Sequence, residues 1–573
     1  MQKIIACLFL VFSFQFCLSQ TTRFEKSNGT ETATYFEAID FYHALAKNSN
    51  IISLKEQGPT DAGYPLHTVL VSSDGNFDPK HWHAQNKVVI MINNGIHPGE
   101  PDGIDASMTL VRDIKNKKIA LPANVVLAII PVYNIGGCLN RNSSTRVNQN
   151  GPLEYGFRGN SQNLDLNRDF TKNDSKEARS FAQIFHWLNP DIFIDNHVSD
   201  GADYQHTMTL ITTQYDKLGG TEGAWLRDIF EPQIYAGMKE RNWDLIPYVE
   251  FDGADFNKGI NMFYETPRYS SGYAALFGTF SFIPETHMLK PYKQRVQSTY
   301  DLMLTFITKA SLNATVLLAK RKQAAEAMIN QKTFPLRWSI DRTKNSTIIF
   351  KGYESDSAIS EATGLKKMFY NHNKPYTREI KFFNYFKPEN EVEKPKAYII
   401  PAGWHEVVDR LKLNGVVVKT LSKDTTIAVG VYHIEDYKSR TNTYEKHHGN
   451  YAVKVSKAND TLHFLKGDHL IEMNQTANRY IVEMLEPTGD DSFFAWNFFD
   501  AILQQKEGYS DYRWEDIAAN VLKNDPSLKA KLEDKKKADP AFANNSGAIL
   551  NYIYKNSVWL EKTFMRYPVY RVE

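Results

Sequence analysis

The sequence has few cysteines, almost no net charge and only one long apolar run. Its 573 residues include three cysteines, and 67 Lys+Arg stand against 66 Asp+Glu. A net charge of +1 gives no basic surface for a polyanion, so we expect no nucleic-acid partner. Hydrophobic residues make up 42% of the chain, which excludes a mostly disordered protein and allows a sizeable core.

The one long apolar run, residues 4–18, lies at the amino terminus directly after Lys3. A positive charge, a short apolar segment and a small residue before the cut are typical of a signal peptide. We therefore predict a signal peptide over 1–19 and an exported protein, periplasmic or extracellular, with no membrane span after its removal. The alternative is an uncleaved membrane anchor. Cleavage would leave Cys138 as the single cysteine and exclude an internal disulfide.

Residues 34–310 alternate short apolar runs with helix-like segments. The runs 87–95, 124–132 and 191–197 are rich in Val and Ile and apolar on both faces. Strands buried on both faces and separated by helices indicate an α/β domain. We predict a mixed, largely parallel central sheet flanked by helices.

The pattern of apolar and polar residues changes after residue 311. Strand-like, alternating runs dominate 330–490, which predicts a β-rich accessory domain. Residues 491–573 form a predicted helical carboxyl-terminal segment, in which Asp525-Pro526 supplies an N-cap and a first-turn proline. This texture specifies no ligand, so the role of 311–573 is open.

Metal-ligand spacing is the strongest chemical signal. His97 and Glu100, in the sequence HPGE, follow directly after the first apolar run, where a turn allows both to reach one cation. His197 closes the third run, and ligands collect at the carboxyl ends of strands in such sheets. These three residues predict a catalytic zinc site with one Zn²⁺ per chain.

Glu285 ends an apolar stretch in the sequence FIPETHM. A carboxylate that emerges from an apolar strand into a cleft has a raised pKa, which suits a group that accepts and returns protons. The alternative is a capping glutamate at a strand-to-helix junction.

These segments, together with NSSTRVN (142–148), NLDLNRDF (163–170) and DNHVSDG (195–201), resemble the zinc carboxypeptidase family, the carboxypeptidase A-like metallopeptidases. The motifs stand in the family's order, and the resemblance covers roughly 34–310. It implies a secreted, bacterial-type member of the family. Residues beyond 311 resemble nothing in the family's shared peptidase unit, so they are interpreted as a carboxyl-terminal extension.

The resemblance implies a role for each matching residue. His97, Glu100 and His197 match the zinc ligands. Glu285 matches the general base that activates the zinc-bound water and then protonates the leaving amine.

Three further residues match the groups that bind substrate. Arg146 matches the arginine that polarises the scissile carbonyl and stabilises the oxyanion, while Asn167 and Arg168 match the pair that grips a terminal carboxylate. The family also uses a mobile tyrosine, for which we favour Tyr273 over Tyr269 because Gly272 would allow a flexible loop.

We therefore expect a metallocarboxypeptidase that hydrolyses C-terminal bonds of peptides with a free carboxylate. One alternative keeps the zinc site but acts on cell-wall peptides with D-residues, or as an amidohydrolase. An alternative of another class is a glycan- or protein-binding surface protein with a secondary peptidase domain. The preferred terminal residue and the oligomeric state are open.

Overall fold

The computed structural model describes residues 21–250 and 258–573, so the predicted signal peptide over 1–19 lies outside the described residues. Internal contacts divide the chain into two units. The first unit runs to Lys394 and includes two later segments, Asp409–Val417 and Met473–Met484. The second unit contains Pro395–Val408, Val418–Glu472 and Leu485–Glu573. The domain boundaries inferred from sequence texture stay predictions.

The strands of the first unit lie in one large sheet and two small ones. They are β1 (Ile52–Pro59), β2 (Pro65–Val71), β3 (Val88–Asn93), β4 (Val125–Ile130), β5 (Ile192–Asp195), β6 (His197–Ser199), β7 (Met208–Thr212), β8 (Ile246–Pro247), β9 (Ile260–Asn261), β10 (Phe280–His287), β11 (Thr333–Ile340), β12 (Ser346–Ile359), β13 (Lys366–Phe383) and β14 (Phe386–Glu393). The strands of the second unit are β15 (Ala397–Ile400), β16 (Lys419–Thr420), β17 (Thr425–Ser439), β18 (Asn450–Phe464), β19 (His469–Glu472) and β20 (Tyr570–Val572).

The α-helices lie between these strands and after them. They are Arg23–Lys26, Tyr35–Lys47, Pro79–Ala84, Asp102–Lys115, Ile135–Leu139, Lys176–Leu188, Tyr215–Leu218, Gly220–Trp225, Glu231–Glu240, Ser270–Ala275, Tyr292–Leu312, Ala314–Asn330, His405–Leu413, Asn478–Leu485, Asp511–Asn524, Pro526–Ala538, Pro540–Ala543 and Ser546–Lys555.

The large sheet has the strand order β1-β2-β4-β3-β5-β10-β7-β8, with β6 paired to β10. Its central pairs β4-β3, β3-β5 and β5-β10 are parallel, while β1-β2, β2-β4 and β10-β7 are antiparallel. Every residue of β3 and β4 is buried, as expected for parallel strands covered by helices on both faces. The predicted mixed, largely parallel sheet flanked by helices is confirmed.

The β-rich and helical regions predicted beyond the central sheet are also present. In the first unit, β12 and β13 form a long antiparallel hairpin. In the second unit, six strands pair in the order β16-β19-β15-β20-β17-β18 around a small apolar core that includes Val429 and Phe464. The helices after residue 510 pack their own cluster around Trp514.

Within residues 21–250 and 258–573, no single helix is long and apolar enough to cross a membrane. The neighbouring helices Tyr292–Leu312 and Ala314–Asn330 meet that length and composition only as a pair, with an 85° bend between them.

Candidate active site

The turn after β3 carries the first two predicted ligands. Gly95 has φ +65°, a left-handed conformation that glycine adopts without strain, and it turns the chain at the end of the strand. The backbone N–H of Glu100 then donates to the carbonyl of His97 at 2.8 Å, which closes a tight turn before the helix Asp102–Lys115. His97 and Glu100 are thereby held on one side of the turn, 2% and 3% exposed.

Two adjacent strands position the third ligand and the candidate base. His197 is the first residue of β6, which follows β5 after a single residue. β6 pairs with β10 in parallel, and His197 stands directly opposite Glu285 in that register. The predicted ligand and the predicted base are therefore neighbours at the carboxyl-terminal edge of the sheet.

The three ligand groups converge. His97, Glu100 and His197 offer atoms that lie within 4.8 Å of one another, and all three residues are buried. His97 Nδ1 lies 3.2 Å from Glu100 Oε1, and His197 Nδ1 lies 3.2 Å from Glu100 Oε2. Among the described residues, the buried His97 Nδ1 has no hydrogen-bond partner, so its electron pair is available to bind a cation. Two imidazoles and one carboxylate fit a catalytic zinc ion.

Two aspartates that the sequence reasoning did not single out orient the imidazoles. Asp165 Oδ1 lies 2.9 Å from His97 Nε2, and Asp195 Oδ2 lies 3.0 Å from His197 Nε2. Each carboxylate fixes the proton on Nε2 and leaves Nδ1 as the electron-pair donor. Burial alone would raise the pKa of Asp165, yet facing His97 holds it well below its usual range.

Glu285 has the electrostatic surroundings of a proton acceptor. Burial, together with the nearby carboxylates of Glu100 and Glu265, raises the pKa of the Glu285 carboxyl to about 8 against the opposing effect of His197. Glu265, which the sequence reasoning did not single out, is 6% exposed, and its Oε2 accepts the backbone N–H of Ser271 at 2.9 Å. A carboxyl group with a pKa near neutrality is suited to both halves of a proton transfer.

The predicted substrate-binding arginines reach the same cavity. Arg146 donates from Nη2 to Glu100 Oε1 at 2.9 Å, so its guanidinium lies at the edge of the ligand set. Asn167 and Arg168 belong to the short 3₁₀ helix Leu166–Arg168, whose start Asp165 caps by accepting the Asn167 N–H. Asn167 Oδ1 is buried and has no hydrogen-bond partner among the described residues.

The three metal ligands, the two glutamates Glu265 and Glu285, and the predicted substrate-binding residues Arg146, Asn167 and Arg168 line a single cavity of about 450 Å³. Its lining is His97, Glu100, Thr145, Arg146, Val147, Asn148, Arg158, Asn167, Arg168, His197, Val198, Ser199, Asp200, Ile211, Tyr248, Phe263, Glu265, Tyr269, Glu285 and Met288. Arg158 was not expected there, and its Nε donates to Asp165 Oδ2 at 2.9 Å. The cavity thus combines the metal-ligand set, a carboxylate base and three guanidinium groups.

The structure does not place Tyr273 in this cavity. Tyr273 is fully buried in an aromatic cluster with Phe170 and Phe185, and its hydroxyl donates to Asn414 Oδ1 at 2.7 Å. A Cβ on Gly272 would lie 2.0 Å from the carbonyl oxygen of Thr266, so this glycine permits close packing rather than a flexible loop. The choice of Tyr273 is therefore corrected.

Tyr269 is the tyrosine of this segment that lines the cavity. The guanidinium carbon of Arg168 lies 4.5 Å from the centre of its ring, within cation–π distance. Tyr269 precedes the helix Ser270–Ala275 in extended conformation, and the helix turns Tyr273 inward one turn later.

The ligand set and its surroundings define a class of protein. A structural zinc site uses four protein ligands, whereas three ligands at the wall of a cavity leave a coordination position for water or substrate. A base opposite one ligand and guanidinium groups at the cavity wall complete the outline of a metal-dependent hydrolase.

Comparison with known proteins matches one part of the chain to a known family. Residues 39–189 match the family model of the zinc carboxypeptidases. This segment is therefore similar to a zinc carboxypeptidase domain, and the similarity together with the ligand set supports a zinc metallopeptidase. The matched segment includes His97 and Glu100, whereas His197 and Glu285 lie beyond it and are brought to the same cavity by the fold.

Individual proteins with similar sequences or structures are also carboxypeptidases. Carboxypeptidase 2 of Trichophyton rubrum is 21% identical over 500 residues, which cover 82% of this chain and 84% of that protein. A metallo-carboxypeptidase from Burkholderia cenocepacia has a TM-score of 0.37 and 15% identity, covering 49% of this chain and 70% of that one. The carboxypeptidase A from Helicoverpa armigera has a TM-score of 0.38 and 16% identity, covering 49% of this chain and 74% of that one.

Proposed function

We propose that the protein is an exported metallocarboxypeptidase that removes C-terminal residues from peptides with a free terminal carboxylate. The observation that carries the proposal is the shared cavity, in which Asn167 and Arg168 face the same space as the metal-ligand set and Glu285. A guanidinium binds a carboxylate through two parallel hydrogen bonds, and the amide Nδ2 of Asn167 can donate a further one.

The roles follow from where each group lies. His97, Glu100 and His197 would hold a zinc ion, which would act as a Lewis acid toward oxygen atoms in the cavity. The Glu285 carboxylate accepts a proton from the attacking water and returns it to the nitrogen of the leaving amine. Arg146, at the edge of the ligand set, donates to the oxygen of the scissile carbonyl as negative charge develops there.

The test of the base is Glu285→Gln in the zinc-loaded protein, assayed on a peptide with a free carboxyl terminus. We expect kcat to fall at least about a hundredfold, the usual contribution of a general base. Glu265→Gln is the matched control, because that carboxylate lines the same cavity but is held by the Ser271 N–H. Equal turnover by Glu285→Gln and the wild type contradicts the mechanism.

The test of the terminal-carboxylate preference compares each peptide with its amidated form. We expect the free acid to be cleaved far faster, and Arg168→Ala to raise KM for it. Undiminished cleavage of amidated peptides contradicts the carboxypeptidase mode while leaving a zinc hydrolase. Peptides ending in a D-residue, included in the same assay, test the cell-wall alternative.

Export is supported by the charged and apolar pattern before residue 19. The test is amino-terminal sequencing of the mature protein recovered from the periplasm or the medium of its host. A start at residue 20 supports export and cleavage, whereas retention of the complete chain in the cytoplasm contradicts both.

A further inference from the structure

The loop that follows the carboxylate-binding residues is held by a segment from far along the chain. This clamp loop, residues 169–175, begins directly after Asn167 and Arg168 and is buried at Asp169, Lys172 and Asn173, each 0% exposed. The segment that contacts it is Asp409–Val417, which belongs to the same compact unit. We call Asp409–Val417 the bracing segment.

Two side chains of the bracing segment make the contacts. Arg410 donates from Nε to the carbonyl of Lys172 at 2.6 Å, across 238 positions of sequence, and its Nη2 lies 3.4 Å from Asp174 Oδ1. Asn414 donates from Nδ2 to Asn173 Oδ1 at 2.8 Å. Arg410 is 6% exposed and Asn414 is 0% exposed, so water does not compete for these hydrogen bonds.

Asp169 transmits this support to the substrate-binding turn. Its Oδ1 accepts from Lys172 Nζ at 2.8 Å and from the Asp174 N–H at 2.9 Å, and its Oδ2 accepts from Ser175. Its own backbone N–H donates to the carbonyl of Leu166 at 3.1 Å, which closes the 3₁₀ helix that carries Asn167 and Arg168. A continuous path of hydrogen bonds therefore joins the bracing segment to that turn.

We propose that Arg410 and Asn414 are positioning residues for substrate: they fix the clamp loop and thereby hold Asn167 and Arg168 where a terminal carboxylate binds. This inference rests on the proposed carboxypeptidase function. It gives part of the chain beyond residue 311 a role in substrate recognition. Neither residue lines the cavity, and the bracing segment contributes no group to the metal-ligand set.

The test uses the full-length, zinc-loaded protein and a peptide with a free carboxyl terminus. We expect Arg410→Ala to raise KM about 10- to 100-fold, because a displacement of about 1 Å in a positioning group costs up to that much. We expect kcat to stay within about threefold and the zinc content to be unchanged. Arg410→Lys, which keeps one donor to the loop, should restore part of the lost affinity.

Arg479→Ala is the matched control for loss of a buried arginine. Arg479 is 6% exposed in the same unit, but its guanidinium donates to Ala275 and Gln331 and not to the clamp loop. It should lower the melting temperature without raising KM. Where Arg410→Ala does not yield folded protein, Asn414→Ser takes its place with the same expected rise in KM.

A combined variant separates positioning from general loosening. If Arg410 acts through Asn167 and Arg168, adding Arg410→Ala to a variant with both of those residues changed to alanine raises KM no further. Independent, additive effects overturn the inference, and so does a KM for Arg410→Ala within twofold of the wild type. An unchanged KM in Arg168→Ala overturns instead the proposed function on which the inference rests.

Discussion

Removal of the Asp165 carboxylate should weaken zinc binding through His97. The Asp165 side chain is only 12% exposed, and its Oδ1 accepts from His97 Nε2 at 2.9 Å. A hydrogen bond that involves a charged group contributes about 1.5–3 kcal/mol, and each 1.4 kcal/mol corresponds to about tenfold in affinity. We therefore expect Asp165→Ala to raise the Kd for zinc about 10- to 150-fold. Asp165→Asn should have a smaller effect, because its amide oxygen still accepts the Nε2–H.

The assay is competition for zinc between the apoprotein and a chromogenic chelator of known affinity. Asp203→Ala is the matched control, because Asp203 also pairs with an imidazole, that of His372, but lies outside the ligand set. It should leave the Kd for zinc within about twofold. A Kd for folded Asp165→Ala that is equally close to the wild-type value refutes the assigned role of the carboxylate.

Two further predictions concern pH dependence and the tyrosines. Glu285 acts as a base only when ionised, so kcat/KM falls as the pH drops below its pKa. Glu265→Gln removes a negative charge that raises this pKa, so the acid limb of the pH profile should move to lower pH. Arg158→Gln removes a charge that lowers the pKa and should move the limb to higher pH, so pH profiles that shift in the same direction contradict the assignment. Tyr269→Ala removes a cation–π contact worth about 0.5–2 kcal/mol and should raise KM about 2- to 30-fold in steady-state assays. Tyr273→Phe should instead lower stability by about 1–3 kcal/mol in denaturant titration, because it unpairs the buried Oδ1 of Asn414.

The metal-ligand residues were predictable because two of them lie close together in the sequence and the third lies at the carboxyl end of a neighbouring parallel strand. His97 and Glu100 share one turn, and His197 follows the end of β5, which pairs in parallel with β3 as the apolar runs already indicated. The aspartates behind the imidazoles carried a usable signal as well. Asp195 stands two residues before His197, so a carboxylate beside a strand-end histidine is a pattern that sequence reading can seek.

The cavity wall was less predictable because side-chain direction depends on structure that sequence texture does not report. The segment around Tyr273 has the glycine and serines of a loop, yet it forms the helix Ser270–Ala275 and turns the tyrosine into the core. Arg158 lies in irregular chain, where no periodicity indicates which way a side chain points. The bracing contacts of Arg410 join positions more than 230 residues apart, and no local pattern encodes such a pairing.

The late return of the chain to the first unit also sets the order of events during synthesis. The ribosome must add the ninety residues from 395 to 484 after Lys394 before the last segment of that unit exists. At roughly 5–20 residues per second, synthesis of these residues takes about 5 to 18 s. During that time the residues of the metal-ligand set have been synthesised, but the later segments of the first unit have not. A gene cut at residue 394 would therefore encode the first unit without Asp409–Val417 and Met473–Met484.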